Sequence, residues 1–360
     1  MAEIADSYLE LIEALIAELP ITFPRTAPTP IEAICQQLPA SEQAELVMAI
    51  IRWYQQEADG NHHYQQWFVL DVMLNLVKRA LPFSLSNILE ILTAIQTYPL
   101  LLSLAMNRLP NLLENYLKYN PLTAEIEKEV QKITYFLERQ STPERKCAVK
   151  LKKLLTTGQL ENPLLEGEAW SDAALQYLSN LSASEYQAWL YLLNECLLAS
   201  AAKPTAKWQK SAQNYRNGVG TEVFQDCLRS WFPLVDSSRT QPIPGWRGYT
   251  DLITDQNADI LKGLVWLCAD SDQPEMARIL SQLAVSAYRK IPQFGPRCLK
   301  VGNACIWSLS QMPTPEAIAQ LSLLKVKIKL ATAQKGIEKA FLIQYLRQTR
   351  GGVRTQEWDV

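Results

Sequence analysis

The side chains most able to do chemistry are few. His62 and His63 are the only histidines in 360 residues, and they are adjacent. Neighbours on a helix point about 100° apart, so the two do not form an obvious pair of metal ligands. Any Ser-His-Asp or Cys-His arrangement has to use one of them, and nothing beyond Glu57 and Asp59 lies near enough in sequence to support that. They read as a surface helix start. The seven cysteines (35, 147, 196, 227, 268, 298, 305) are odd in number and contain no CxxC pair, which fits buried free thiols in a reducing compartment. Cys298 and Cys305 have the spacing of same-face helical packing rather than of a metal clip. Gly218-Val-Gly220 lacks the third glycine and the preceding strand of a dinucleotide loop and reads as helix termination. No catalytic residue, cofactor site or metal site is expected.

Charge is the one uneven feature. The net charge is −2, yet from Val285 to Arg354 twelve lysines and arginines face two acidic residues. Lys325, Lys327 and Lys329 alternate with Val326 and Ile328, and on a helix 325 and 329 share a face. Gly295-Pro-Arg297 precedes a helix start, where an anion can bind, with Arg297 and Lys300 adding charge; a simple turn is the plainer reading. Arg297, Lys300, Lys325 and Lys329 are therefore the candidate contacts for a protein partner or an anion. The basic 285–354 surface also admits a nucleic-acid-facing groove, although it lacks the aromatic interleaving of single-strand binders. It equally admits a solvated face, or one that meets an acidic partner or the first half of the chain.

A repeat must position these residues. Trp266 is followed by Pro274-Glu275, Leu280 and Leu283; Trp307 is followed at the same offsets by Pro315-Glu316, Leu321 and Leu324. The 41-residue period is that of paired-helix repeats. In each copy a helix ending near the Trp precedes a second helix opened by proline, which tolerates the missing N–H there. Asp272 with Glu275, and Thr314, are the expected caps. Such a unit lacks apolar area of its own, and stacking completes the core. The fold expected is all-α, an α-solenoid of stacked antiparallel helix pairs of HEAT-like type.

The rest of the chain agrees with that class. Apolar periodicity predicts helices at about 3–19, 30–38, 41–58, 63–80, 86–97, 100–118, 123–139 and 142–156, with a loop from Pro20 to Pro30 and a break at Asp59-Gly60-Asn61. Residues 157 to 170, rich in Gly, Pro and polar side chains, form the boundary between an N-terminal array at 1–160 and a C-terminal array at 170–350. Ser182 and Glu185 make a capping box for a helix to about 202. Helices carrying Trp208 and Trp231 follow, then an irregular stretch at 232–249 with Gly245-Trp246-Arg247-Gly248. Ile291 to Pro296 punctuates the two copies, helices run to about Gln348, and Gly351 to Val360 reads as frayed. A 48% hydrophobic content allows a large core. The early acidic residues Glu3, Asp6 and Glu10 leave no basic n-region of a signal peptide. No apolar run approaches the ~20 residues of a membrane span, so a cytoplasmic protein off the membrane is expected.

Three stretches carry a resemblance: Ala201-Ala-Lys-Pro-Thr-Ala-Lys-Trp208, Asn257 to Trp266, and Lys290 to Arg297 with Lys300-Val-Gly-Asn-Ala-Cys305. Over about 185–345 the chain resembles the helical region of the large bacterial MolR-like proteins, some of which carry a WGR domain. The resemblance implies a HEAT-like array and no particular activity. Proteins of that family continue past this point, which suggests a truncated relative or a free-standing array. The function expected is a non-enzymatic scaffold for protein–protein interaction, with a nucleic-acid-binding array as the alternative.

Overall fold

The computed structural model describes residues 6–17, 29–56, 63–98, 101–156, 158–243 and 251–356. The expected loop at 20–30 and break at 59–61 lie largely or wholly outside them, as do His62 and Gly245-Trp246-Arg247-Gly248. Among the described residues the chain is all-α apart from two strands of two residues each, and it divides into two compact units, Met1–Gln159 and Leu160–Val360.

The first unit holds α1 (Asp6–Ala17), α2 (Pro30–Gln37), α3 (Ala40–Gln56), α4 (His63–Leu76), α5 (Leu85–Thr97), α6 (Leu102–Asn107), α7 (Leu109–Leu117), α8 (Ala124–Leu137) and α9 (Thr142–Lys152). Local signals start several of these helices. Thr29 Oγ accepts from Glu32 N ahead of Pro30, Ser84 and Asn87 form a reciprocal capping box, and Thr123 caps α8. Each satisfies N–H groups that lack intrahelical partners. The single helix expected at 100–118 is two. Pro110 sits in the first turn of α7, and the chain bends at Arg108, with φ −134°, because proline cannot continue a preceding helix. The core is centred on α3, whose Leu46, Val47, Ile50 and Ile51 are fully buried. Arg52 grips Glu90 on α5 through two hydrogen bonds of 2.8 and 2.9 Å.

The second unit holds α10 (Ala169–Ser179), α11 (Ala183–Leu197), α12 (Ala206–Val219), α13 (Thr221–Leu234), α14 (Asp255–Trp266), α15 (Pro274–Tyr288), β1 (Lys290–Ile291), β2 (Gly295–Pro296), α16 (Leu299–Gln311), α17 (Pro315–Lys327) and α18 (Ala331–Gln356). The two copies of the sequence pattern are α14 with α15, and α16 with α17. The most extensive packing is of α15 on α16, and equivalent helices of the two copies also meet: α14 lies on α16, and α15 on α17. The files extend outward, α11 packing on α14 and α18 on α16, while α10 packs on α13 and α13 on α15. Between the files, α15 packs on α16 and α17 on α18. Leu280, Leu283, Leu321 and Leu324 are all buried. Gly263 permits a close approach of α14 to α11: a Cβ there would lie 2.6 Å from Cys196 Cα. Gly220, at φ +95°, ends α12 in a conformation that side chains resist, whereas Gly218 lies inside the helix.

The caps divide. The Ser182–Glu185 box forms at α11, which ends at Leu197, earlier than expected. Thr314 Oγ accepts from Glu316 N at α17. Asp272 does not cap α15: its N-cap is Gln273, whose N–H is instead met by Ser271 Oγ at 3.3 Å. Helix α18 continues past Gly351-Gly352 to Gln356. A tryptophan row runs through the unit. Trp208 of α12, Trp266 and Trp307 follow one another with centroids 5.2 and 6.2 Å apart, each pair nearly perpendicular, the edge-to-face arrangement favoured by the aromatic quadrupole. Trp266, in the middle, is buried, while Trp307, at the end, is half-buried.

The irregular segment after α13 is held by a buried ion pair. Arg239 Nη1 donates to Glu168 Oε1 at 2.9 Å, and Glu168 also accepts from Trp170 Nε1, Thr254 N and Thr254 Oγ1. Burying both charges is tolerable because each is hydrogen-bonded.

Candidate partner-binding groove

The four basic residues singled out in the sequence do not meet. Arg297 is not a surface contact; it is 5% exposed. The turn β1–β2, in which Lys290 pairs with Pro296 and Ile291 with Gly295, brings Arg297 back so that its N–H bonds Arg289 O at 2.9 Å. Its guanidinium donates to Asp251 O at 2.5 Å, to Val235 O, to Ser286 Oγ at 2.9 Å and to Ser237 O at 3.3 Å. Burial, then the charge of Arg289, pull its pKa below the ordinary arginine value. Its role is to clamp the segment after α13 onto α15. The helix start carries the simple turn, and Arg297 does not form the alternative anion contact there: its donors are engaged by protein oxygens.

Lys300 is half-buried, 2.9 Å from Asp259 and 3.1 Å from Asp255. Burial alone would lower its pKa, but the hydrogen bonds and charges of the two aspartates outweigh that and raise it. Lys325 is exposed, with Glu338 of α18 at 3.7 Å. It does not share a helical face with Lys329, because α17 ends at Lys327. Ile328 turns to extended backbone at φ −93°, ψ 122° and buries its side chain. Gln334 Nε2, from α18, donates to Lys325 O at 2.8 Å and to Ile328 O. Those bonds meet carbonyls that a helix end leaves without partners, so termination here is a tertiary event.

This stop builds a site. Lys327, Lys329 and Lys290 come together along a groove of about 660 Å³ bounded by the ends of α13, α15 and α17. Phe232, Leu283, Leu323 and Ile328 contribute apolar walls. Asp236, its carboxylate, is paired with Arg289 at 3.3 Å. All three lysines are exposed, and none has an ion pair or side-chain hydrogen bond among the described residues. Elsewhere in the unit, Arg216, Arg229, Arg239, Arg278, Lys300 and Lys325 each have a carboxylate partner. The groove gathers three lysines that lack one; Lys335 and Lys339 of α18 are likewise exposed and without a carboxylate partner among the described residues. Ser281 lies at its wall, 1% exposed, with its hydroxyl unpartnered. The sequence signal for Lys290 and Lys327 was the charge surplus after Val285; Phe232 and Ser281 had none.

The seven cysteines are buried and none is in a disulfide. Burial pushes Cys147 up to about 12, and Cys227 and Cys298 each up to about 11, so these thiols stay protonated near neutrality and are poor nucleophiles. His63 opens α4. Among the described residues no helix is long and apolar enough to cross a membrane. No family model matches the chain, and neither a curated protein nor a solved structure does.

Proposed function

We propose that the protein is a non-enzymatic, HEAT-like α-solenoid scaffold whose lysine-rimmed groove holds an acidic, partly apolar segment of a protein partner. One observation carries the reading: Lys290, Lys327 and Lys329, without carboxylate partners, surround an apolar-walled groove. Uncompensated cations at a rim attract and orient an acidic partner, and apolar walls supply the burial that charge alone does not. The stacking of α14 on α16 and of α15 on α17 supports a solenoid, which presents extended surfaces of this kind. The likeness of 185–345 to the MolR-like helical region points the same way, and seven buried cysteines without a disulfide suit a reducing, cytoplasmic setting.

The alternative is nucleic-acid binding through the same lysines. A labelled peptide of alternating glutamate and leucine and a labelled DNA duplex, each titrated with the full chain by fluorescence anisotropy, separate the two. The acidic peptide is expected to bind, and the triple variant Lys290→Glu, Lys327→Glu, Lys329→Glu to weaken it roughly tenfold, a loss of about 1.4 kcal/mol. Duplex binding that falls steeply between about 50 and 200 mM salt, with no peptide binding, overturns the proposal in favour of the alternative. Equal peptide binding by the triple variant overturns the assignment of the groove.

A further inference from the structure

The tryptophan row borders a second hollow, of about 360 Å³, separate in its lining residues from the lysine groove. Trp208, Trp266 and Trp307 line it, together with Gln209, Gln213 and Asp270. We infer that this hollow is a binding site for a short proline-rich segment in the polyproline II conformation.

Charge decides the ligand class first. The carboxylate of Asp270 is held by Arg216 through two hydrogen bonds of 2.7 and 2.9 Å. The ammonium of Lys262 already lies 4.7 Å from the centre of the Trp266 ring. An incoming cation therefore finds the carboxylate neutralised and one indole face taken. An incoming anion finds no lysine or arginine among the lining residues. The ligand that fits is neutral.

Hydrogen bonding decides next. Trp266 is 4% exposed, and its Nε1–H is buried with no acceptor, an uncommon state for a buried polar group. Trp208, by contrast, donates its Nε1–H to Glu195 O at 2.9 Å. The side-chain amides of Gln209 and Gln213 also make no hydrogen bond among the described residues. The hollow is thus aromatic, without net charge once Asp270 is paired with Arg216, and supplied with open donors by the side-chain amides of Gln209 and Gln213. A polyproline II segment is the complement: it makes no internal hydrogen bonds, leaves its carbonyls open to donors, and presents flat apolar rings. Aromatic-lined grooves are how such segments are bound elsewhere. Trp307 is the accessible member of the row, and Trp266 lies behind it.

The test uses the full chain and a labelled oligoproline of about ten residues, roughly three turns of polyproline II, with a glycine-serine peptide of equal length as control. Anisotropy is expected to show saturable binding of oligoproline and none of the control. Gln213→Ala, at an exposed position, should weaken binding several-fold with unchanged thermal unfolding. Trp307→Ala should weaken it about tenfold or more, as loss of an aromatic anchor does. The triple lysine variant should bind oligoproline as the wild type does, which keeps this site distinct from the groove. Absence of oligoproline binding by the wild type overturns the inference. So does unchanged binding by Gln213→Ala together with Trp307→Ala, or equal binding of the glycine-serine peptide. If Trp307→Ala fails to fold, Gln209→Ala combined with Gln213→Ala decides alone, and wild-type affinity in that variant overturns the site.

Discussion

The tryptophan hollow and the lysine groove belong to the same unit and are assembled in different ways. The hollow takes two of its three tryptophans from the repeat itself: Trp266 and Trp307 stand one period apart, and stacking α14 on α16 brings their rings together. The groove arises where regularity breaks. It needs α17 to stop at Lys327, the turn at 290–296 to project Lys290, and the end of α13 to close the wall. A repeated pattern yields a row of like side chains; a departure from it gathers unlike ones. That is a physical reason to look for recognition at helix ends as well as on helix faces.

The comparison can be broken most forcefully in the middle of the row. Trp266→Ala should cost about 3–5 kcal/mol, the usual range for a large aromatic in a core, read from urea unfolding of the full chain. A loss below about 1 kcal/mol would show that the row is not part of the core. Arg297→Met comes next, at about 3 kcal/mol, because an orphaned buried acceptor costs about 1–3 and, of the four oxygens the guanidinium serves, those of Val235 and Ser286 are buried with it. A variant as stable as the wild type would remove the clamp from the account of the groove. Trp307→Ala should cost less than Trp266→Ala, since Trp307 is half-buried and packs on one tryptophan of the row rather than two; the reverse order would mean that the end of the row is better packed than its middle.

The lysines should behave oppositely. The triple charge reversal at 290, 327 and 329 should change unfolding by no more than about 0.5 kcal/mol, as surface substitutions do, while altering ligand binding. The smallest effect concerns Lys300. Its pKa is raised in the fold, so its pairing contributes stability fully below the ordinary lysine value of 10.5 and loses it as pH rises through the higher folded value. In Lys300→Met the decline in stability above pH 10.5 should be shallower, as measured by thermal unfolding across that window. An identical slope would sink the pairing.

Much of the helical structure was legible because its signals are local. Thr314-Pro315-Glu316 and Ser182 with Glu185 start helices through bonds spanning two or three residues; the break before Pro110, though local in cause, was missed. The other misses follow mostly from distance. Asp272 looked like a cap, yet α15 takes Gln273 as its N-cap with no side-chain capping bond, a local miss of one residue; the others come from afar. Lys325 and Lys329 looked like one face, but Gln334 draws the end of α17 into a cap from the next helix. Arg297 looked like a surface cation because its carbonyl partners, at Val235, Ser237 and Asp251, lie 46 to 62 residues away.

By itself the amino-acid order settled that this chain is helical and that two tryptophans recur with a common period, since periodicity, caps and prolines act within a few residues of one another. Which cations are buried, which are paired and which remain open to a ligand was decided only by packing. Those outcomes depend on carbonyls, carboxylates and apolar walls that tertiary structure brings together from distant segments, and burial and neighbouring charge, not residue type alone, govern what a lysine or arginine does.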